Sequence, residues 1–103
     1  MDLEKRQAIH DEICKIVKKH ASISFDGSHY SDYVIDLDVH IVSNDDEIQI
    51  ISGQGILLKE HLCILFYDIS KYLDEIKLDC YVCVADLTNG RNIYQNKGVA
   101  INE

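Results

Sequence analysis

Apolar residues recur at helical spacing in two segments of the chain, each with charged residues on the opposite face. The first segment predicts a helix over residues 2–20. The second has a longer apolar stripe and predicts the core helix, over residues 58–76, with Ile64 and Tyr67 exposed on its outer side. The two stripes consist of Ile9, Ile13, Ile16, Val17 and His20 in the first segment, and of Leu58, Leu62, Leu65, Phe66, Ile69, Leu73 and Ile76 in the second.

Between the two helices, apolar and polar residues alternate, which is the pattern of a strand with one buried face. Residues 33–42 predict such a strand, with Asp36, Asp38 and His40 on its polar face. The other strands expected from the sequence are residues 22–25, followed by a turn at Asp26-Gly27, residues 48–51, and residues 79–87 and 92–95, which are joined by a turn at Asn89-Gly90.

This succession of elements predicts an α+β fold, in which two helices pack on an antiparallel sheet in the order α-β-β-β-α-β-β. With 103 residues, the chain is expected to form a single globular domain over residues 1–103. Because 47% of the residues are apolar, the domain can bury a core without disulfides or metal ions. The four cysteines are therefore interpreted as free thiols; they are Cys14, Cys63, Cys80 and Cys83.

The chain is acidic, with eighteen Asp and Glu against ten Lys and Arg and a formal net charge of -8. Nucleic acids and anionic membranes are poor partners for such a chain, since both require an excess of basic residues. The charge is also uneven, because residues 21–58 contain seven acids and no Lys or Arg. This stretch predicts an acidic surface suited to a positively charged protein.

The N-terminal residues and the hydropathy of the chain predict a cytoplasmic protein. Asp2 and Glu4 stand where a secretory signal has its basic start. No apolar run approaches the roughly 20 residues of a membrane-spanning helix. We therefore expect neither export nor a membrane partner.

One group of residues suggests catalytic chemistry. Asp36, Asp38 and His40 could converge on a divalent cation, as in a small metal-dependent hydrolase. However, no Lys lies nearby in the sequence, and alternate side chains on a strand stand nearly 7 Å apart, at about 3.3 Å per residue. Gly53-Gln54-Gly55 lacks the third glycine and the Lys of a phosphate-binding loop. We therefore predict no catalytic residue, no metal site and no cofactor.

In size, acidity, cytoplasmic character and lack of a catalytic motif, the chain resembles the bacterial immunity proteins of contact-dependent growth inhibition. The resemblance is one of profile over the whole chain, and it carries no family residue across. It implies a specific complex with a cognate basic toxin domain, such as a nuclease, whose active site or substrate groove the protein blocks. The residues expected to bind this partner are Asp32, Tyr33, Asp36 and Asp38 on the long strand, with Asp68 and Glu75 on the second helix as another patch.

Three other functions remain open at this point. The element order is similar to that of type III secretion chaperones, which dimerise and hold an effector segment extended, although those chaperones usually continue into a further helix. A phage-type inhibitor that mimics DNA would need its carboxylates in a double row. The hydrolase rests on Asp36, Asp38 and His40. For an immunity protein we expect a monomer or weak dimer that acts by binding and catalyses no reaction.

Overall fold

A computed structural model describes the two helices and most of the sheet. The first helix, α1, spans Leu3–His20. It begins where the sequence predicts, because the carboxylate of Asp2 accepts a hydrogen bond from the N–H of Lys5 (2.8 Å) and so caps the first turn. The described residues are 2–21, 33–43, 46–52, 56–88 and 91–95.

The second helix, α2, spans Leu62–Glu75 and is four residues shorter at its start than the prediction. Leu57–Leu58 form a short strand, β4, which pairs antiparallel with β1 at Tyr33–Val34. A 3₁₀ turn over Lys59–His61 then leads into the helix. The apolar stripe that begins at position 58 therefore belongs partly to a strand, and periodicity does not separate the two.

Four longer strands form the main sheet: β2 (Leu37–Ser43), β3 (Asp46–Ser52), β5 (Tyr81–Asp86) and β6 (Arg91–Gln95). Their spatial order is β3-β2-β5-β6, and the pairing is antiparallel throughout. The pairing of β5 with β6 agrees with the hairpin expected there. The α+β prediction is confirmed, and β4 is the strand that the sequence did not predict.

The strand predicted over residues 33–42 is broken, and this prediction was wrong. The hydroxyl oxygen of Thr88 accepts hydrogen bonds from the N–H groups of Ile35 (2.9 Å) and Asp36 (3.0 Å), and the N–H of Leu87 donates to the carbonyl of Asp36 (2.9 Å). These bonds hold a bend between β1 and β2. Asp36 therefore precedes β2 and does not share its polar face.

Both helices cover one face of the main sheet, and the core lies between the helices and the sheet. From the sheet, Val39, Ile41 and Val84 are fully buried; of the predicted stripe in α2, four residues are buried, whereas Phe66 and Ile76 are partly buried. Each such side chain contributes about 1.5–3 kcal/mol by leaving water. Neither helix of the described residues is long and apolar enough to cross a membrane. The buried helix residues are Ile9, Ile13 and Val17 in α1, and Leu62, Leu65, Ile69 and Leu73 in α2.

The end of α2 has the hydrogen bonds of a Schellman motif. The N–H of Leu78 donates to the carbonyl of Leu73 (3.0 Å), and the N–H of Lys77 donates to that of Asp74 (3.0 Å). Lys77 has φ 57, the left-handed conformation that usually requires glycine. The chain thus ends α2 with a non-glycine residue in a strained conformation.

Several expected features lie outside the described residues. They are the strand over residues 22–25, the turns at Asp26-Gly27 and Asn89-Gly90, the Gly53-Gln54-Gly55 segment, and Asp32.

Candidate functional site

A hydrogen-bonded network of acidic residues lies on the outer face of the sheet, opposite the helices. His40 of β2 has Nδ1 at 3.0 Å from Asp38 Oδ2 and Nε2 at 2.9 Å from Glu47 Oε2. The amide of Gln49 donates to the other oxygen of Asp38 (3.3 Å). Because a carboxylate only accepts hydrogen bonds, both ring nitrogens can donate at once only when the imidazole is protonated. Each ring nitrogen of His40 thus has a carboxylate within hydrogen-bond distance.

This network changes the role expected of Asp38. Its side chain is only 13% exposed and is held by His40 and Gln49, so it is not an open carboxylate facing solvent. Asp36 is exposed, but it lies on the bend before β2. Within the described part of the chain, no group of three or more His, Cys, Asp or Glu is placed to hold a metal ion. The proposed metal set of Asp36, Asp38 and His40 is therefore not assembled.

Asp68 is also engaged within the protein. Its Oδ2 lies 2.7 Å from Nε2 of His20, the last residue of α1. The His20 side chain is 12% exposed and that of Asp68 30%, so the contact is largely shielded from water. It joins the end of α1 to the middle of α2, which makes Asp68 a link between the helices.

In the folded chain, basic residues from outside residues 21–58 contact some of the acidic residues of that stretch. Arg6 of α1 lies 4.0 Å from Asp46 and donates to the backbone carbonyl of Glu47. Beyond that stretch, Lys59 lies 4.0 Å from Asp86, which is 1% exposed. The acidic surface is therefore less continuous than the sequence predicts.

The last turn of α2, by contrast, presents exposed acidic residues. Asp74 and Glu75 are exposed there, the turn contains no basic residue, and exposed Asp79 follows shortly after. A helix C-terminus has partial negative charge, so carboxylates at this end are unfavourable by about 0.3–1 kcal/mol each. By contrast, α1 has Glu4 in its first turn and basic residues in its last. The helix dipole therefore disfavours the two carboxylates of α2.

The outer face of α2 also exposes two large apolar side chains. Ile64 is 47% exposed and Tyr67 63% exposed, as the sequence predicts. Their spacing to Lys71 and to Asp74 and Glu75 is helical, so these side chains form one stripe. We call the five residues Ile64, Tyr67, Lys71, Asp74 and Glu75 the α2 surface.

The cysteines are free thiols, as predicted, and their surroundings differ. Burial, followed by the charges of Asp79 and Asp74, raises the pKa of the Cys80 thiol to about 11. Cys80 belongs to the core, whereas Cys83 pairs across the sheet with His40. Because a thiol reacts as the thiolate, the raised pKa makes Cys80 a poor nucleophile.

Two tyrosines also have raised pKa values. Burial, followed by the charge of Glu12 on α1, raises the pKa of Tyr72. Burial, followed by the charge of Cys83, raises the pKa of Tyr81. Both phenols therefore favour their protonated form, in which each is a hydrogen-bond donor as well as an acceptor.

The residues predicted to bind a partner thus fall into separate places. Tyr33 is half-buried in β1 opposite Leu58, and Asp36 is exposed beyond it. Asp38 and Asp68 are paired inside the molecule, whereas Glu75 is exposed on the α2 surface. Asp74 is not among the residues predicted from the sequence, although two acids in a last helical turn without a base are visible there.

Comparison of this chain with protein-family models, with curated proteins and with solved structures finds no match.

Proposed function

We propose that the protein is a binding module of the immunity-protein type, which neutralises a basic toxin domain through its α2 surface. The observation that carries the proposal is the pair of exposed carboxylates in the last turn of α2, placed against the helix dipole and without a basic residue in that turn. Features that oppose local stability are expected at functional sites. The same side of α2 exposes Tyr67 and Ile64, which supports a protein partner.

The chemistry of the α2 surface fits a basic protein. Asp74 and Glu75 attract a positively charged partner and raise its rate of encounter. Tyr67 and Ile64 offer apolar area that is buried on contact, and tyrosine is among the residues that contribute most to interface energies. Lys71 lies between the two pairs and favours an acidic or hydrogen-bonding group of the partner at that point.

The sheet side contributes less in this proposal. Asp36 offers an exposed carboxylate at the bend before β2, whereas Asp38 is held by His40. The proposed action is by binding, with no catalytic step, and its proposed place is the cytoplasm. Support for that compartment comes from the free thiols, since disulfides are rare in cytoplasmic proteins.

The proposal predicts that the reading frame immediately upstream encodes a basic toxin domain, and the test uses that domain. We expect a one-to-one complex by size-exclusion chromatography with light scattering, and loss of the domain's toxic activity in the complex. The double variant Asp74→Lys with Glu75→Lys should lose the complex while remaining folded. The control, Glu4→Lys with Asp11→Lys, makes the same charge change on the exposed face of α1 and should retain it.

Two results would contradict the proposal. One is that the upstream domain forms no complex with the parent protein. The other is that both double variants bind the domain as well as the parent does, which would place the interface elsewhere.

A further inference from the structure

Among the strands of the described residues, β3 forms one edge of the main sheet, as the first strand in the order β3-β2-β5-β6. This strand has seven residues and contains neither Pro nor Lys. The register shift found in the sheet lies between β5 and β6. Proteins commonly protect a long edge strand with Lys, Pro or a bulge, because its unpaired N–H and C=O groups can pair with another strand. β3 has none of these three protections.

The ladder determines which backbone groups of β3 point away from the sheet. The hydrogen bond from the N–H of Leu87 to the carbonyl of Asp36 continues the pairing of β2 with β5. The backbone N–H and C=O groups of even-numbered residues in β2 therefore point toward β5, and those of odd-numbered residues point toward β3. The register pairs odd-numbered residues of β2 with even-numbered residues of β3. The backbone N–H and C=O groups of odd-numbered residues in β3 therefore point away from the sheet. Consistently, the guanidinium of Arg6 donates to the carbonyl of Glu47 from outside the sheet.

The outward backbone groups beyond Glu47 are those of Gln49 and Ile51. Within the described part of the chain, the N–H and C=O of Gln49 have no hydrogen-bond partner. Residues 47–51 extend over about 17 Å, at roughly 3.4 Å per residue, which is the length of a typical short strand pairing. The edge therefore offers a template for one added strand.

A cleft of about 140 Å³ lies beside this edge, between β3 and the N-terminal half of α1. Of the apolar residues in its lining, Leu3 is 81% exposed, whereas Ile48 of β3 is buried and only 3% exposed. The cleft can therefore receive apolar side chains of a segment lying along β3. Its lining consists of Leu3, Arg6, Gln7, His10, Ile48 and Gln49.

We infer that the edge of β3 is a strand-addition site that takes an extended segment of a positively charged partner. The segment bonds to the outward groups of Gln49 and Ile51, and its alternate side chains enter the cleft. Its other side chains lie on the face of Glu47, whose carboxylate contacts His40 (2.9 Å) and whose side chain is 58% exposed. A second copy of the chain is a poor occupant, since each copy has a net charge of -8. The positive charge of the added segment rests on the proposed function, whereas the strand-addition site itself does not.

The test uses a blocked heptapeptide of alternating lysine and valine as the probe, with amide NMR of the full chain as the readout. We expect saturable shifts and slowed hydrogen exchange at Gln49 and Ile51. A second peptide has N-methyl groups along the edge that faces β3. It should bind about tenfold more weakly, because it loses hydrogen bonds worth roughly 0.5–1.5 kcal/mol each.

Two variants of Gln49 test the same bonds from the protein side. Gln49→Pro removes the outward N–H and leaves the bonds of β3 to β2 in place, so it should weaken the lysine–valine peptide about tenfold. Gln49→Ala removes the side chain, which lines the cleft, but keeps the N–H, so it should weaken binding less than Gln49→Pro does. Circular dichroism checks the fold of both, and the methylated peptide tests the parent itself if the proline variant fails to fold.

Four outcomes would overturn the inference. If the methylated peptide binds as tightly as the unmethylated one, β3 is not a strand-addition site. The same conclusion follows if shifts occur only on the α2 surface, although that result would agree with the proposed function. If a glutamate–valine peptide binds equally well, the occupant is not selected by positive charge. If Gln49 is protected in a concentration-dependent dimer without peptide, the occupant is a second copy.

Discussion

Reversing one charge at each helix end should change stability in opposite directions. Glu75→Lys replaces an unfavourable carboxylate in the last turn of α2 with a favourable base, whereas Glu4→Lys does the reverse in the first turn of α1. Both residues are exposed, and both variants change the net charge from -8 to about -6, so their difference isolates the interaction with the helix dipole.

The size of this difference follows from the exposed positions. Each charge at a helix end contributes about 0.3–1 kcal/mol, and a reversal changes that contribution twice over. We expect Glu75→Lys to gain about 1 kcal/mol and Glu4→Lys to lose about 1 kcal/mol. The corresponding Tm shifts are about 4–8 °C in each direction for a domain of this size.

Urea unfolding at low salt and again near 0.5 M NaCl measures both effects. The difference between the variants should be about 2 kcal/mol at low salt and should shrink as salt screens the exposed charges. Equal stabilisation of both variants would mean that only net charge matters. Loss of stability in Glu75→Lys would mean that Glu75 supports the fold, which would remove the main argument for the α2 surface.

Three further predictions concern the stability of the folded protein. Lys77→Gly should be more stable than Lys77→Ala by about 1 kcal/mol in urea unfolding, because only glycine adopts the left-handed conformation without strain; equal stability would refute this. Asp68→Asn should destabilise the protein by about 1–3 kcal/mol, since His20 loses a largely shielded carboxylate, whereas Asp11→Asn should change stability by less than about 0.5 kcal/mol. The raised pKa of the Cys80 thiol favours the folded state below pH 9. This contribution to stability should disappear as the pH rises through about 11. Cys80→Ala lacks the thiol, so it should lose less stability than the parent over the same pH range.

The helices and most strand pairings are predictable because they depend on local patterns. The apolar stripe of α2 and the cap at Asp2 are both readable within a few residues of sequence. The break before β2 is different, since Thr88 makes it from 52 and 53 residues away. Alternation of apolar and polar residues cannot show where a distant hydroxyl replaces a ladder partner.

The candidate site was harder to predict for the same reason. The sequence shows the base-free stretch, but not that Arg6 reaches Asp46 or that His20 reaches Asp68 across 48 residues. Pairing removes acids from an exposed surface, and it depends on tertiary contacts. By contrast, the exposure of Tyr67 was predictable, because helical geometry fixes which face a residue occupies.

The most direct test of binding through the α2 surface is the association rate constant with the upstream-encoded basic domain, measured by stopped flow at about 50 and 300 mM NaCl. For the parent we predict fast association that slows steeply with salt. Asp74→Lys with Glu75→Lys should slow association about tenfold or more at low salt, whereas Glu4→Lys with Asp11→Lys should stay within about threefold. Equal rates for the two double variants, or a rate for the parent that is independent of salt, would contradict the account.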